Sequence, residues 1–216
     1  LFGEAERDQL LAENRAIAAV IRSAVGAEEF LNNGHRWCLW LPDQIVGEFK
    51  KYRTVKQRID ACRIFREGAS DAGTRKLAQK PHQFREMHGG KDLTLFVPTV
   101  SSERRHYLPC GLLPADQVVI APNQVIYNAP VWILGLVSSQ MHIVWVRAVA
   151  GRLEDRIRYS SSICYNNFPF PPIGDSQRQQ IAAHAEAVML TREKWPDKSI
   201  ADLYDPDAMP ADLLVA

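Results

Sequence analysis

The feature that most constrains the fold is a long segment without charge: residues 117–146 contain no Asp, Glu, Lys or Arg. Such a segment has to be buried, either in a membrane or in a protein core. A membrane-spanning helix needs about 20 consecutive apolar residues, but Pro122, Asn128, Pro130 and Gln140 interrupt this run. We therefore predict no membrane span, and instead two short buried strands followed by one buried helix over residues 132–150.

Apolar residues elsewhere occur in two patterns, at helical spacing and in short continuous runs. Helical spacing predicts helices over residues 4–24, 45–67 and 175–195. The second would bury Val46, Phe49, Val55, Ile59, Cys62 and Phe65 along one side. Short apolar runs bounded by prolines predict strands over residues 35–41, 93–97, 106–113, 118–120, 125–127 and 163–165. Together they predict an α+β fold, in which a mostly antiparallel, twisted β region is flanked by helices and followed by a C-terminal helical appendage.

The composition is that of a globular protein, because 46% of the residues are hydrophobic and the 24% that are charged nearly balance. The chain begins at Leu1 with a charged helical pattern and not with a secretory signal. We therefore expect an internal piece of a longer cytoplasmic protein.

Cysteine spacing bears on metal binding and on the redox state. The four cysteines, Cys38, Cys62, Cys110 and Cys164, are far apart, which favours reduced, buried thiols over a disulfide framework. A zinc site formed by His35, Cys38, His106 and Cys110 is an alternative, but it lacks the close ligand pairs usual for zinc.

Positive charge is concentrated in the middle of the chain. Residues 50–105 contain 14 Lys/Arg and 6 Asp/Glu, whereas residues 1–49 contain 4 and 8, and residues 106–216 contain 8 and 11. The central net charge of +8 therefore lies between acidic flanks. Clustering of this kind suits contact with phosphates, although a solvated helix surface would give the same count.

One segment of the basic region has the composition of a phosphate-binding loop. Ser101, Ser102, Arg104 and Arg105 follow a predicted strand and a proline. Hydroxyl and guanidinium groups suit contacts with phosphates and with guanine edges. A salt-bridged turn through Glu103 is the alternative.

No catalytic motif is visible. The sequence contains no phosphate-binding P-loop, no GxSxG and no HExxH, and no glycine-rich cofactor loop follows a strand. The run Asn167-Phe168-Pro169-Phe170 is only superficially similar to the adenine-methylation signature, because the order of its residues differs. We therefore predict no catalytic residue and no bound cofactor in this chain.

Several segments, kept in order, carry a family resemblance. They are RWCLWL (36–41), TRKLA (74–78), VSSERR (100–105), LGLVSSQMH (134–142), WVRAVAGRL (145–153) and the run from RYS (158–160) to YNNFP (165–169). These resemble the target recognition domain of MmeI-like DNA methyltransferases, which are single-chain restriction–modification enzymes. ADLYDP (201–206), with Met209 and Pro210, resembles the start of that family's helical C-terminal region.

The resemblance implies a function. Residues 1–172 would recognise a sequence in double-stranded DNA, and residues 173–216 would begin the C-terminal region. The target base would be presented to an adenine methyltransferase domain of the same chain, which uses S-adenosylmethionine and is missing from these residues. We expect a monomer. From the basic central segment, the loop positions and the resemblance together, we predict that Arg75, Lys76, Arg104 and Arg105 bind DNA on one basic concave surface. Ser101 and Ser102 are predicted to contact the phosphate backbone.

Two other hypotheses remain open. The chain could be an enzyme whose motif is not visible, or a structural or protein-interaction domain that docks through residues 132–153. For that helix we predict that Met141 and Trp145 share a buried face and that His142 is packed in the core. We predict that residues 166–172 are a rigid structural exit, with stacking of Tyr165 or Phe168 on a base as the alternative.

Overall fold

The computed structural model describes residues 1–216 and divides into two compact units. The first unit contains Leu1–Ala24 and His35–Gly89, and the second contains Val25–Gly34 and Gly90–Ala216. The helices are α1 (Glu4–Glu13), α2 (Ala27–Asn32), α3 (Val46–Phe49), α4 (Arg53–Glu67), α5 (Ala72–Lys76), α6 (Val131–Ser138), α7 (Gln140–Val149), α8 (Asp175–Glu193), α9 (Ile200–Leu203) and α10 (Ala211–Val215). The strands are β1 (Ile21–Val25), β2 (Trp37–Leu39), β3 (Thr94–Val97), β4 (Val100–Ser101), β5 (Gly111–Leu113), β6 (Val118–Val119), β7 (Gln124–Tyr127), β8 (Gly151–Leu153) and β9 (Arg156–Arg158).

The first unit is built around helices and one antiparallel strand pair. In that pair Ile21 of β1 lies opposite Leu39 of β2, which confirms a strand within residues 35–41. Helix α4 buries Val55 and Ile59. The other members of this hydrophobic core are Phe2, Leu10, Ile17, Val20, Leu41, Val46 and Phe49.

Both long helices predicted for the first unit are broken. Asn14 ends α1 because its backbone is extended and its side chain accepts a hydrogen bond from the amide of Ala16 at 2.8 Å. A short 3-10 helix (Arg15–Val20) and β1 then replace the predicted continuation. The helix over residues 45–67 breaks at Tyr52, and Phe65, predicted to be buried, is 76% exposed.

The second unit contains two antiparallel sheets. One has the order β5-β3-β7, with Thr94 opposite both Leu113 and Tyr127, and the other has the order β4-β9-β8. These antiparallel sheets, together with the helices, confirm the α+β class. Among the predicted strands, residues 93–97, 118–120 and 125–127 are confirmed. Only the end of 106–113 is a strand, and residues 163–165 lie in a π-helical turn instead, Ser161–Tyr165.

The predicted helix over residues 132–150 is two helices, α6 and α7, with a bend of 58° between them. Ser139 produces the break: its hydroxyl accepts from the amide of His142 at 3.2 Å and so begins α7. The prediction that Met141 is buried was wrong, since it is 52% exposed. Trp145 is half-buried, and its indole N–H donates to the carbonyl of Cys164 at 3.1 Å.

The uncharged segment lies largely in the core of the second unit, where α6 and α7 bury Leu134, Val137, Ile143 and Val146. No single helix of the chain is both long and apolar enough to cross a membrane. Only the bent pair α6 and α7, taken together, meets that requirement by length and composition.

Helix α8, which lies in the predicted C-terminal appendage, packs closely against α6. A Cβ atom at Gly135 would lie 2.7 Å from Cγ2 of Ile181, so only glycine allows this approach. Ala185 of α8 is 2% exposed and belongs to the same hydrophobic core as Leu134 and Val137. The appendage therefore contributes to the core of the second unit.

His142 is wholly buried in that core, as predicted. Its Nε2 lies 3.0 Å from the hydroxyl of Tyr159, and its ring meets the ring of Phe168 edge-on at 4.7 Å between centroids. Its Nδ1 has no hydrogen-bond partner. Burial lowers the pKa of His142 to about 4, so the folded protein keeps this imidazole neutral.

This buried imidazole predicts a loss of stability in mild acid. Unfolded His142 takes up a proton near pH 6.5, whereas the folded form does so only near pH 4, so stability present above pH 6.5 is lost as the pH falls toward 4. Between pH 7.5 and 5.0 the loss should be roughly 2 kcal/mol, since one pKa unit corresponds to about 1.4 kcal/mol. Denaturant unfolding of wild type and His142→Gln at both pH values measures it. Equal losses in both proteins would contradict the prediction.

Candidate nucleic-acid interface

The loop that contains most of the predicted site residues begins at a firmly held threonine in the second unit. The Thr99 hydroxyl donates to the carbonyl of Pro122 at 2.5 Å, and its carbonyl accepts from the amide of Tyr159 at 2.7 Å. Strand β4 follows at once and pairs with β9, with Val100 opposite Arg158. The residues after β4 therefore project from the edge of a sheet.

Inside the loop, the two predicted serines bond to the two predicted arginines. The hydroxyl of Ser101, which is 5% exposed, accepts from the guanidinium of Arg105 at 3.3 Å. The hydroxyl of Ser102 accepts from the amide of Arg104 at 3.3 Å. Both hydroxyls therefore orient the loop, and their contact with phosphate stays a prediction.

The two loop arginines differ in their surroundings. Arg104 is exposed and pairs with Asp207 at 2.5 Å, and this hydrogen bond raises the pKa of Arg104. Arg105 is half-buried, and burial lowers its pKa. Its guanidinium bonds to a neutral hydroxyl and not to a carboxylate. Arg104 therefore has to leave an ion pair before it can bind an anion, whereas Arg105 does not.

A second basic element, which the sequence analysis missed, lies beside the loop. Residues 151–158 form a hairpin of β8 and β9, and the turn residue Glu154 has a positive φ of 58°. Arg156 and Arg158 are exposed and lie on one face of β9, because alternate residues of a strand share a face. Ile157 between them is 1% exposed. The alternation of arginine with Ile157 and Tyr159 is the signal that could have indicated a strand here.

Loop and hairpin belong to one sheet, because β4 and β8 pair with the two edges of β9. Arg156 bonds to Glu154 at 2.8 Å in an exposed pair, which is weak in water. A guanidinium can donate two parallel hydrogen bonds to a phosphate or to guanine. The exposed arginines of the loop and the hairpin therefore have the chemistry to bind nucleic acid.

The other two predicted residues lie in the first unit. Asp71 begins α5 by accepting from the amide of Thr74 at 2.6 Å, and hydrogen bonds from the Thr74 side chain and from this amide lower the pKa of Asp71. Arg75 donates to the carbonyls of Ala69 and Ser70 at 2.9 and 2.6 Å, so its guanidinium closes the preceding loop. Lys76 is exposed. The prediction that Arg75 and Lys76 share one surface with Arg104 and Arg105 stays a prediction.

Comparison with known protein families identifies the family of this chain. The model of the MmeI target recognition domain matches residues 1–172, and that of the MmeI C-terminal domain matches residues 173–216. The chain belongs to the MmeI target recognition domain family. This confirms the resemblance recognised in the sequence.

Two relatives of this MmeI-family chain are similar over almost all of its length. DNA methyltransferase A of Bacillus subtilis (strain 168) is 37% identical over 216 residues, which are 100% of this chain and 24% of that protein. The structure of the Type IIL restriction–modification enzyme MmeI in complex with DNA has a TM-score of 0.93 and 36% identity, and it covers 99% of this chain and 29% of that one. The chain thus spans about a quarter of the length of these relatives.

The cysteines and histidines of this MmeI-family chain form no metal centre: no group of three or more His, Cys, Asp or Glu could hold an ion. All four cysteines are free thiols. Burial raises the pKa of both Cys38 and Cys110 to about 11, so these two thiols are protonated at neutral pH and behave as small apolar groups.

Proposed function

We propose that this chain is the sequence-specific, duplex DNA recognition module of an adenine-specific DNA methyltransferase of the restriction–modification type. Its role is to position the target base for a methyltransferase domain that lies outside these residues. Membership of the MmeI target recognition family supports the proposal, as does the similarity to a protein solved in complex with DNA.

The observation that carries the proposal is the joining of two arginine-rich elements in one sheet. The loop supplies Arg104 and Arg105, and the hairpin supplies Arg152, Arg156 and Arg158. Because β9 pairs with both β4 and β8, the start of the loop has a fixed spacing from the hairpin. Fixed spacing is what recognition of a base sequence requires, since each side chain has to meet one base edge.

The two loop arginines fit different contacts. Arg105 is half-buried and oriented by Ser101, which suits directional hydrogen bonds to a base edge. Arg104 is exposed and already neutralised by Asp207, so a phosphate could replace that carboxylate with little change in charge. We assign base recognition to Arg105 and phosphate contact to Arg104.

S-adenosylmethionine, in the proposed parent enzyme, supplies the methyl group. The sequence of this chain has no glycine-rich cofactor loop after a strand. The one buried carboxylate is Glu29, and it accepts from the amide of Gly26 at 2.8 Å and closes the first turn of α2. We therefore assign the cofactor to the part of the parent enzyme outside this chain.

Replacement of Lys76 by alanine tests the proposal in the first unit. An exposed lysine acts on DNA as a point charge, so Lys76→Ala should weaken binding to all sequences alike and reduce the slope of log affinity against log salt by about one. The measurement is a titration of the complete protein with duplexes at several salt concentrations, alongside Arg75→Ala, Arg104→Ala and Arg105→Ala. If all four variants match wild type in affinity and slope, the assigned basic residues are only solvated.

A second candidate function is docking of another protein through α7. Met141 and Val144 are 52% and 64% exposed and lie three residues apart, on one side of that helix. Self-association that does not depend on DNA, and that is lost in Met141→Ser with Val144→Ser, would favour this candidate. Salt-dependent duplex binding by a monomer would favour DNA recognition.

A further inference from the structure

The loop between β4 and the buried segment at residues 108–110 is anchored well at its ends and weakly at its tip. At one end, the carbonyl of Thr99 accepts from Tyr159 at 2.7 Å, and at the other Leu108 and Cys110 are buried. The tip has long hydrogen bonds of its own. The amide of Arg105 donates to the carbonyl of Ser102 at 3.4 Å, beyond the usual 2.7–3.2 Å range.

The shortest hydrogen bond to the backbone of the tip comes from α7. The guanidinium of Arg147 donates to the carbonyl of Arg105 at 2.8 Å, and the same nitrogen lies 3.4 Å from the carbonyl of Glu103. This guanidinium therefore spans two carbonyls on the tip of the loop. A lysine nitrogen lies one bond nearer the backbone than this guanidinium nitrogen and sits on a more flexible stem, so an ammonium would not hold the same place.

The backbone of Arg147, in contrast to its side chain, contacts the hairpin. The backbone carbonyl of Arg147 accepts from the guanidinium of Arg152 at 3.4 Å, and Arg152 also donates to the carbonyl of Asp155 in the hairpin turn at 3.4 Å. Arg147 thus lies between the loop and the hairpin, although its own guanidinium contacts backbone carbonyls only.

We infer that Arg147 is a positioning residue for sequence recognition: it sets the place of Arg104 and Arg105 relative to the hairpin and does not itself contact DNA. The inference rests on the proposed function. A shift of the loop would misalign the paired hydrogen bonds by which an arginine recognises a base, while contacts to phosphate tolerate such shifts. Loss of Arg147 should therefore reduce discrimination between sequences more than total affinity.

Arg147→Lys, which keeps the charge, tests the inference in the complete protein. The probe is a pool of duplexes with a randomised central segment, from which bound molecules are selected and sequenced. We expect enrichment of the preferred site to fall about tenfold, within the range of one paired arginine–base contact. Affinity for the unselected pool and its salt slope should match wild type. Arg15→Lys, at an exposed position of the first unit, is the matched control.

Each other outcome is decisive. An enrichment profile equal to wild type overturns the positioning role, as does a uniform loss of affinity with a salt slope reduced by about one, which indicates a direct phosphate contact. If wild type itself enriches no sequence, the proposed function fails and the inference with it. Amide hydrogen exchange of residues 102–107 then still tests the anchoring alone: it should be faster in Arg147→Lys, and unchanged exchange would contradict the anchoring.

Discussion

Replacement of Arg156 and Arg158 by alanine together is expected to lower the affinity for duplex DNA by roughly 100-fold, since each arginine contact is worth about 1–3 kcal/mol. Both side chains are exposed on one face of β9, while Ile157, which anchors the strand, is left intact. The fold should therefore survive. If both arginines contact phosphates, the salt slope should fall by about two.

The measurement is a salt series with duplexes from the randomised pool and with the site enriched from it. The matched control is Arg15→Ala with Lys194→Ala, which removes the same charge from exposed positions outside the loop and hairpin. A double variant that binds like this control would show that the hairpin makes no contact with DNA.

Phe168→Ala is expected to destabilise the protein by about 3–4 kcal/mol, as is usual for a buried phenylalanine. Phe168 is 5% exposed, and its ring packs edge-on against His142, Trp145 and Phe170 at centroid distances of 4.7, 6.2 and 5.0 Å. The midpoint of thermal unfolding should fall by roughly 10 °C, at about 2–4 °C per kcal/mol for a chain of this size.

This variant also separates the two hypotheses for residues 166–172. Phe170, which is 37% exposed, provides the control, because Phe170→Ala removes a ring of the same cluster with less burial. A large loss of stability in Phe168→Ala alone supports the structural role. Wild-type stability with an altered sequence preference would mean that Phe168 stacks on a base.

The sequence predicted those elements whose signal is local. Strand β3 is an apolar run closed by Pro98, and β2 is an apolar run shortly before Pro42. The break before α4 was missed because it depends on a partner far away in the sequence. The backbone amides of Arg53 and Thr54 at the start of α4 donate to the Glu13 carboxylate at 2.7 and 3.0 Å. Helical periodicity in the sequence does not indicate this contact.

In the candidate site, too, one element was predicted from the sequence and another was missed. The loop at Ser101–Arg105 was predicted from its own residue types. The hairpin was missed because β8 and β9 are only three residues long each, so the alternation along β9 is a weak signal. Phe65 was predicted to be buried from its spacing, but burial depends on whether another element covers that side of α4, and none covers Phe65.

The close approach of α6 and α8 limits how such proteins can exchange specificity. The two family models meet between residues 172 and 173, which suggests a natural junction for chimeras. Yet Gly135, before that junction, accommodates Ile181 beyond it, and Ala185 completes the core around Leu134. A chimera joined there would pack α6 from one parent protein against α8 from another. A recognition module transferred to another protein would therefore keep its native packing only if the transferred segment included α8 from the same parent.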